Sequence, residues 1–223
     1  MPGRSSAVAG RPSAAVRAAL RPPLKRLFDI AGALALLAAL LPVLLLVAVL
    51  VRADGGPALF AHERVGRGGR RFGCLKFRSM VVDSAERLEA LLAADPQARA
   101  EWDATRKLRR DPRVTAVGRF LRASSLDELP QLLNVLRGDM SLVGPRPVQA
   151  AELAEHYGPA ATAEYVSVRP GITGLWQVSG RCDTSYAARV ALDLRYLANP
   201  SLREDLRIVL KTPCAVLARR GAY

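Results

Sequence analysis

The chain has 223 residues, 50% of them hydrophobic, and a formal charge of +13 from 33 Lys and Arg against 20 Asp and Glu. That length suits one domain with an apolar core plus a membrane element, and the charge predicts attraction to polyanions such as nucleic acid, anionic lipid or nucleotide phosphates. Cys74, Cys182 and Cys214 are odd in number and far apart, so they cannot all pair, and with only His62 and His156 beside them a zinc centre would need nearly every His and Cys. A reducing, cytosol-facing setting fits this usage.

In chain order, residues 1–23 are rich in Ala, Ser, Pro, Gly and Arg without an apolar period and read as a disordered basic leader. From Ile30 to Val51 runs IAGALALLAALLPVLLLVAVLV, a charge-free stretch long enough to enter a bilayer. It exceeds an ordinary signal-peptide core and meets Arg52 without a cleavage site, so it is expected to stay on the protein. Arg21, Lys25 and Arg26 precede it and Arg52, Arg64 and Arg67 follow, so the positive-inside bias gives a single span no orientation. Pro42 removes a backbone hydrogen bond and clashes with the preceding turn; a helix bent there has arms of roughly 17 to 18 Å, enough to reach about mid-bilayer and return. On these residues alone a straight span stands slightly ahead of a re-entrant hairpin, because proline is common in membrane helices.

Beyond it, Gly55, Gly56, Pro57, Gly66, Gly68 and Gly69 punctuate the β-prone runs ALFAHERVG and RFGCLKFRSM, which predict a strand pair. Ser84 to Ala94 carries Leu88, Leu91 and Leu92 on one helical face, and a second helix is expected over Ala98 to Arg109. Leu129, Leu132, Leu133 and Leu136 repeat with helical spacing, and Gly138 follows as a C-terminal cap. Near the end, Leu206, Val209, Leu210, Val216 and Leu217 alternate with Arg207, Lys211, Arg219 and Arg220. That pattern suits a membrane surface and a core contact equally. The whole predicts an α+β, mainly helical fold with a small β element.

The stretch SSLDELPQLLNVLRGDMSLVGPRP holds the adjacent acids Asp127 and Glu128. Ser125 followed by Glu128 matches a capping box, which would make the pair merely structural, although Pro130 favours a helix that begins at the proline itself. Either start places two carboxylates at a helix N-terminus, where the dipole favours the ionised form and hence a nucleophile or magnesium ligand. Arg146 stands between the rigid Pro145 and Pro147 and is suited to fork a phosphate; Arg122 and Lys76 could neutralise a diphosphate. In so basic a chain each cation also reads as a solvated surface charge. Asp193 and Asp205 are further acids that could ligate a metal or simply close helix ends, and Trp176 in VRPGITGLWQVSGR either shapes a pocket or fills the core.

These stretches together resemble the bacterial sugar transferase family, the polyprenyl-phosphate hexose-1-phosphate or monotopic phosphoglycosyl transferases. The resemblance runs from LKRLFDIAGALALLAALLPVLLLVAVLV through LKFRSM, DPRVTAVGRFLRASSLDELPQLLNVLRGDMSLVGPRP and VRPGITGLWQVSGR to LDLRYLANPSLREDLRIVLKT. Ser79, where many relatives have threonine, and Ala123 depart from it without touching the dyad. The resemblance implies a minimal catalytic form over residues 24–223. Its helix, about 26–52, would be re-entrant and broken at Pro42, with interfacial amphipathic helices and a cytoplasmic catalytic part over 53–223 at the inner membrane. It also implies Asp127 as nucleophile, Glu128 as magnesium ligand, Lys76, Arg122 and Arg146 on phosphates, and Asp205 supporting the metal site with Asp127. A UDP-sugar and polyprenyl phosphate would be the substrates and Mg²⁺ the cofactor. Membrane lipids are then expected partners, nucleic acid is not, and a second copy of the chain is a candidate. The products would be UMP and a polyprenyl-diphosphate sugar, the first membrane step of polysaccharide or glycoconjugate synthesis.

Two other classes fit the composition: a basic nucleic-acid-binding protein and a membrane-anchored scaffold. The apolar run and the lack of zinc-finger or RNA-binding aromatic signatures weigh against the first. Release of nucleoside monophosphate from a nucleotide sugar separates the enzyme from both.

Overall fold

A computed structural model describes residues 22–105, 108–179 and 185–218. The expected leader falls almost wholly outside them, as do Arg106, Lys107, Arg181, Cys182, Arg219 and Arg220. Helix α1 spans Pro22–Arg52. It continues through Pro42 instead of ending there, since one missing donor leaves the bonds of the flanking turns in place.

Both ends of α1 pack on one body. Near its start, Arg26 donates to the carbonyls of Val135 at 2.6 Å and Leu136 at 2.9 Å, the exposed C-terminal acceptors of a later helix. Ala33 is fully buried in the main core with Leu132, Val135, Met140, Leu142 and Ile208. Near its end, Val47 and Val51 pack with Phe77 and Leu121. Between these anchors Leu34, Leu36, Leu41, Leu45, Leu46 and Val49 are exposed. So many large apolar side chains facing outward in one stretch is unusual for a surface bathed in water.

Strands β1 (Leu59–Val65) and β2 (Arg71–Phe77) form the expected hairpin, with Leu59 opposite Phe77 and Val65 opposite Arg71. Helices α2 (Ser84–Ala94) and α3 (Pro96–Thr105) follow, the second starting two residues before the expected Ala98. Next come α4 (Ala116–Ser124) and α5 (Gln131–Arg137), the leucine-rich helix, closed by Gly138 at φ 93°, a left-handed value that glycine adopts without a Cβ clash. Strand β3 (Ser141–Val143) leads through α6 (Ala150–His156) and α7 (Pro159–Ser167) to β4 (Gly171–Thr173). The two strands pair in parallel, Ser141 with Gly171 and Val143 with Thr173. Helices α8 (Leu175–Val178), α9 (Tyr186–Ala198) and α10 (Leu202–Leu217) complete the described chain. In α10 Ile208 enters the core, while Leu206, Leu210 and Leu217 face outward with Arg207 and Lys211 nearby.

Candidate active site

In an antiparallel pair, directly opposed residues share a face of the sheet. The register therefore puts Phe60, His62 and Arg64 of β1 on the same face as Lys76, Cys74 and Phe72 of β2. The other edge of β2 is closed by a side chain. Asn134 of α5, fully buried, donates to the Gly73 carbonyl at 2.8 Å and accepts from the Leu75 N–H at 2.9 Å. One amide thus stands in for a strand and ties the strand bearing Lys76 to the helix that follows the acid dyad. Its signal in the sequence is a lone polar residue inside LLNVL, which sequence reasoning passed over.

The dyad lies one turn ahead of α5. Ser125 sits at φ 58°, in the left-handed region that an L-residue enters at a strain of about 1–2 kcal/mol. Leu126–Glu128 then form a single 3₁₀ turn, and Pro130 is the residue before α5 begins. Ser125 makes no capping hydrogen bond to that turn, so the capping-box alternative is not realised. Lys76 Nζ lies 2.7 Å from Glu128 Oε1 and 3.9 Å from Asp127 Oδ2, and Arg146 Nη2 lies 4.0 Å from Glu128 Oε1.

Asp127 is 9% exposed, and burial pushes its carboxyl up to about 6; Lys76 pulls it down, Glu128 pushes it further up and Arg122 pulls it down. The expectation that a helix N-terminus would favour the ionised acid is therefore corrected. The dyad precedes the helix instead of opening it, and desolvation of the charge is the larger effect.

Four supports hold the arginines. Arg122 Nε donates to Ser79 Oγ at 2.9 Å, which gives the Ser79 hydroxyl a defined task. The Gly144–Pro147 loop leaves the C-terminal end of β3 beside the end of β4. It is stitched there by the Gly144 N–H to Thr173 and the Gly171 N–H to the Pro145 carbonyl. A Cβ on Gly171 would collide with the Gly144 backbone nitrogen, so only glycine permits this approach. Buried Tyr165 donates through its hydroxyl to the carbonyls of Val65, at 3.1 Å, and Arg146, at 3.2 Å, tying the end of β1 to the loop. The Arg146 guanidinium lies 5.4 Å from the Trp176 ring centroid, and Arg189 lies 5.2 Å from the same ring. Trp176 is both buried filler and a platform for the Arg146 guanidinium.

A cleft here is lined by Arg64, Cys74, Lys76, Glu128, Gln131, Arg146, Pro147 and Ile172. Arg64 was not singled out as a site residue in the sequence; its alternation with His62 on a strand was the available signal. Burial pushes the Cys74 thiol up to about 11, so it is neutral near pH 7 and no rival nucleophile.

The structure does not bring Asp205 to the dyad. Its Oδ2 lies 3.0 Å from Lys25 Nζ and its Oδ1 accepts from Tyr196 at 2.7 Å, with Asp29 on the same lysine at 3.1 Å. Asp205 thereby anchors the start of α1 through Lys25 and Tyr196. Asp193 is buried next to the Arg146 backbone, accepting from the Tyr157 hydroxyl at 3.1 Å. Among the described residues no group of three His, Cys, Asp or Glu could hold a metal by itself. Two carboxylates with substrate phosphates supplying the remaining oxygens are nonetheless a usual magnesium environment, and Asp127 and Glu128 fit it.

A family model described as bacterial sugar transferase matches residues 20–219. The chain is 56% identical over 200 residues to a UDP-galactose-lipid carrier transferase of Erwinia amylovora, covering 90% of this chain and 42% of that protein. It is 53% identical over 200 residues to an undecaprenyl-phosphate galactose phosphotransferase of Salmonella typhimurium, with 90% and 42% covered. Against the exopolysaccharide production protein ExoY of Rhizobium meliloti it is 54% identical over 200 residues, with 89% and 88% covered. The chain thus spans about two fifths of the first two relatives and most of the third.

Proposed function

Because this chain belongs to the bacterial sugar transferase family, we propose that it moves a sugar 1-phosphate from a UDP-sugar to polyprenyl phosphate, releasing UMP. The observation that carries the reading is a buried carboxylate, Asp127, beside Glu128 on a cleft walled by Lys76 and Arg146. The names of the relatives, which specify lipid-carrier and undecaprenyl-phosphate transferases, agree with it.

The transfer runs in two displacements. Asp127 attacks the sugar-bearing phosphorus and UMP leaves; the lipid phosphate then attacks the aspartyl phosphate. A carboxylate is an established covalent nucleophile toward phosphorus, and splitting the transfer lets a soluble donor and a lipid acceptor use one cleft in turn. Lys76 and Arg146 offset charge on the phosphoryl oxygens, the main contribution a protein makes to this chemistry. Lys76 and, less strongly, Arg122, held by Ser79, lower the Asp127 pKa and favour its ionised form. Magnesium would be held by Glu128 and Asp127 with diphosphate oxygens and would draw charge off the departing nucleotide.

Two observations support a re-entrant seating with the cleft on the cytoplasmic side. Both ends of α1 dock on the same body, which a helix crossing to the far side could not do, and the exposed leucines lie between the docked ends. The deciding experiment gives purified protein labelled UDP-sugar without lipid. The expected result is at most one equivalent of UMP and a label on Asp127 by mass spectrometry, both lost in Asp127→Asn; transfer by that variant would overturn the mechanism.

A further inference from the structure

Arg64 lines the same cleft as Glu128 of the dyad, yet among the described residues it has no ion-pair partner. Its Nη1 donates to the adjacent Glu63 carbonyl at 3.1 Å. Lys76 and Arg146, by contrast, both approach Glu128. A half-buried guanidinium with no carboxylate on it is costly to keep unless a ligand supplies the anion. Burial lowers the Arg64 guanidinium below the usual arginine range while the Glu152 charge opposes that shift.

The cleft has two ends. The charges that act on Asp127 are Lys76, Glu128 and Arg122. Those that act on Arg64 near pH 7 include Glu152 and Arg146. On the hairpin, Lys76 pairs with Phe60 and Arg64 with Phe72, so the two cations stand four residues apart along one face, about 13 Å between backbones at strand spacing. Phosphoryl transfer places the attacking and leaving oxygens roughly in line on opposite sides of phosphorus. A nucleophile at the Asp127 end therefore drives its leaving group toward the Arg64 end.

We propose that Arg64 binds the phosphate of the departing nucleoside monophosphate, so that the cleft has a separate leaving-group subsite formed by Arg64 and bordered by Arg146 and Pro147. This rests on the two-displacement reading above. In that step an Asp127 Oδ forms the new bond to the sugar-bearing phosphorus, and the bond from that phosphorus to the bridging oxygen breaks. The bridging oxygen departs with the electron pair on the nucleotide phosphate, which gains one negative charge, and no proton moves. Arg64 meets that charge with a planar fork that can bind two phosphate oxygens at once. Lipid phosphate presents the same chemistry, so the two ligands must be separated by measurement.

Three assays on the full chain do this for R64A, with R64Q and R64K as variants that keep the stem or the charge: single-turnover UMP release without lipid, inhibition of the complete reaction by added UMP, and discharge of preloaded enzyme to undecaprenyl phosphate. For R64A, UMP release slows and UMP inhibition weakens by about tenfold or more, as for loss of a charge-assisted fork. Lipid discharge, whose attacking phosphate approaches from the same in-line side but loses charge as it attacks, slows less than UMP release does, and R64K falls between, since a point charge replaces the fork. Unchanged UMP inhibition in both R64A and R64Q, or lipid discharge slowed as much as UMP release, would overturn the assignment. A wild-type enzyme that releases no UMP without lipid would instead overturn the two-displacement reading. UMP competition in the complete reaction would then still decide the role of Arg64.

Discussion

Replacing Asp127 with asparagine should abolish transfer and at the same time make the protein more stable. Burial raises the Asp127 carboxyl from 3.8 to about 6, a shift of about two units, and each unit is worth about 1.4 kcal/mol of preference for the neutral form. The folded state thus holds this proton more tightly than the unfolded chain does. Ionised Asp127 therefore costs the fold up to about 3 kcal/mol at any pH well above 6, nothing below about pH 4, and a growing amount between. The substituted amide cannot ionise, keeps the shape of the carboxyl group, and leaves Lys76 its 2.7 Å partner Glu128. At pH 7.5 the variant should gain up to about 3 kcal/mol, roughly 6–12 °C in thermal midpoint for a chain of this size. The assay is thermal unfolding of both proteins in the same detergent at pH 4.5, 6 and 7.5. The gap should open as pH rises. A variant less stable than wild type at pH 7.5, or a gap of equal size at pH 4.5, would refute the claim that desolvated charge dominates at this site.

Lys76→Met removes the charge that most strongly lowers the Asp127 pKa, so the acid limb of the transfer rate, expected near pH 6 in wild type, should move to higher pH; an unmoved limb in a pH–rate profile counts against this. Asn134→Ala leaves the buried Gly73 carbonyl and Leu75 N–H unpaired and should destabilise the fold by about 2–4 kcal/mol in denaturant titrations, while Asn134→Asp, which keeps only an acceptor, should not rescue it. Asp205→Ala should lower stability by about 1–3 kcal/mol, because Asp29 still neutralises Lys25 but the buried Tyr196 hydroxyl loses its acceptor, yet leave the magnesium concentration for half-maximal activity unchanged, whereas a rise in that concentration would support a ligand role.

The hairpin, the leucine-rich helix with its glycine cap, and the apolar helix were legible because each writes its period or its stop signal locally. The dyad was legible as a chemical pair, but its ionisation was not, since burial depends on segments distant in sequence. The parallel pair β3 and β4 was out of reach: each strand has three residues, and their partnership spans two helices. Asp205 and Lys25 meet across 180 positions, a distance over which one sequence carries no pairing signal. Arg64 was hidden by abundance, as one of 33 basic residues that differ only in where the fold points them.

A carboxylate near 6 is a different reagent from one near 4. At neutral pH both are ionised, but the more basic oxygen is the stronger nucleophile, so the burial that destabilises the fold around Asp127 also raises its reactivity toward phosphorus. The same basicity makes it a poorer leaving group in the second displacement, when the lipid phosphate must expel it. Lys76, between the two acids, and Arg122, on its Ser79 support, are placed to hold the value in between: high enough to attack, low enough to depart. On this reasoning the dyad's cations tune the nucleophile, while Arg146 on its indole platform and Arg64 at the far end handle the phosphates. Loss of a dyad-end cation should therefore alter both displacements, and loss of Arg64 chiefly the one in which the nucleotide departs and its phosphate gains charge.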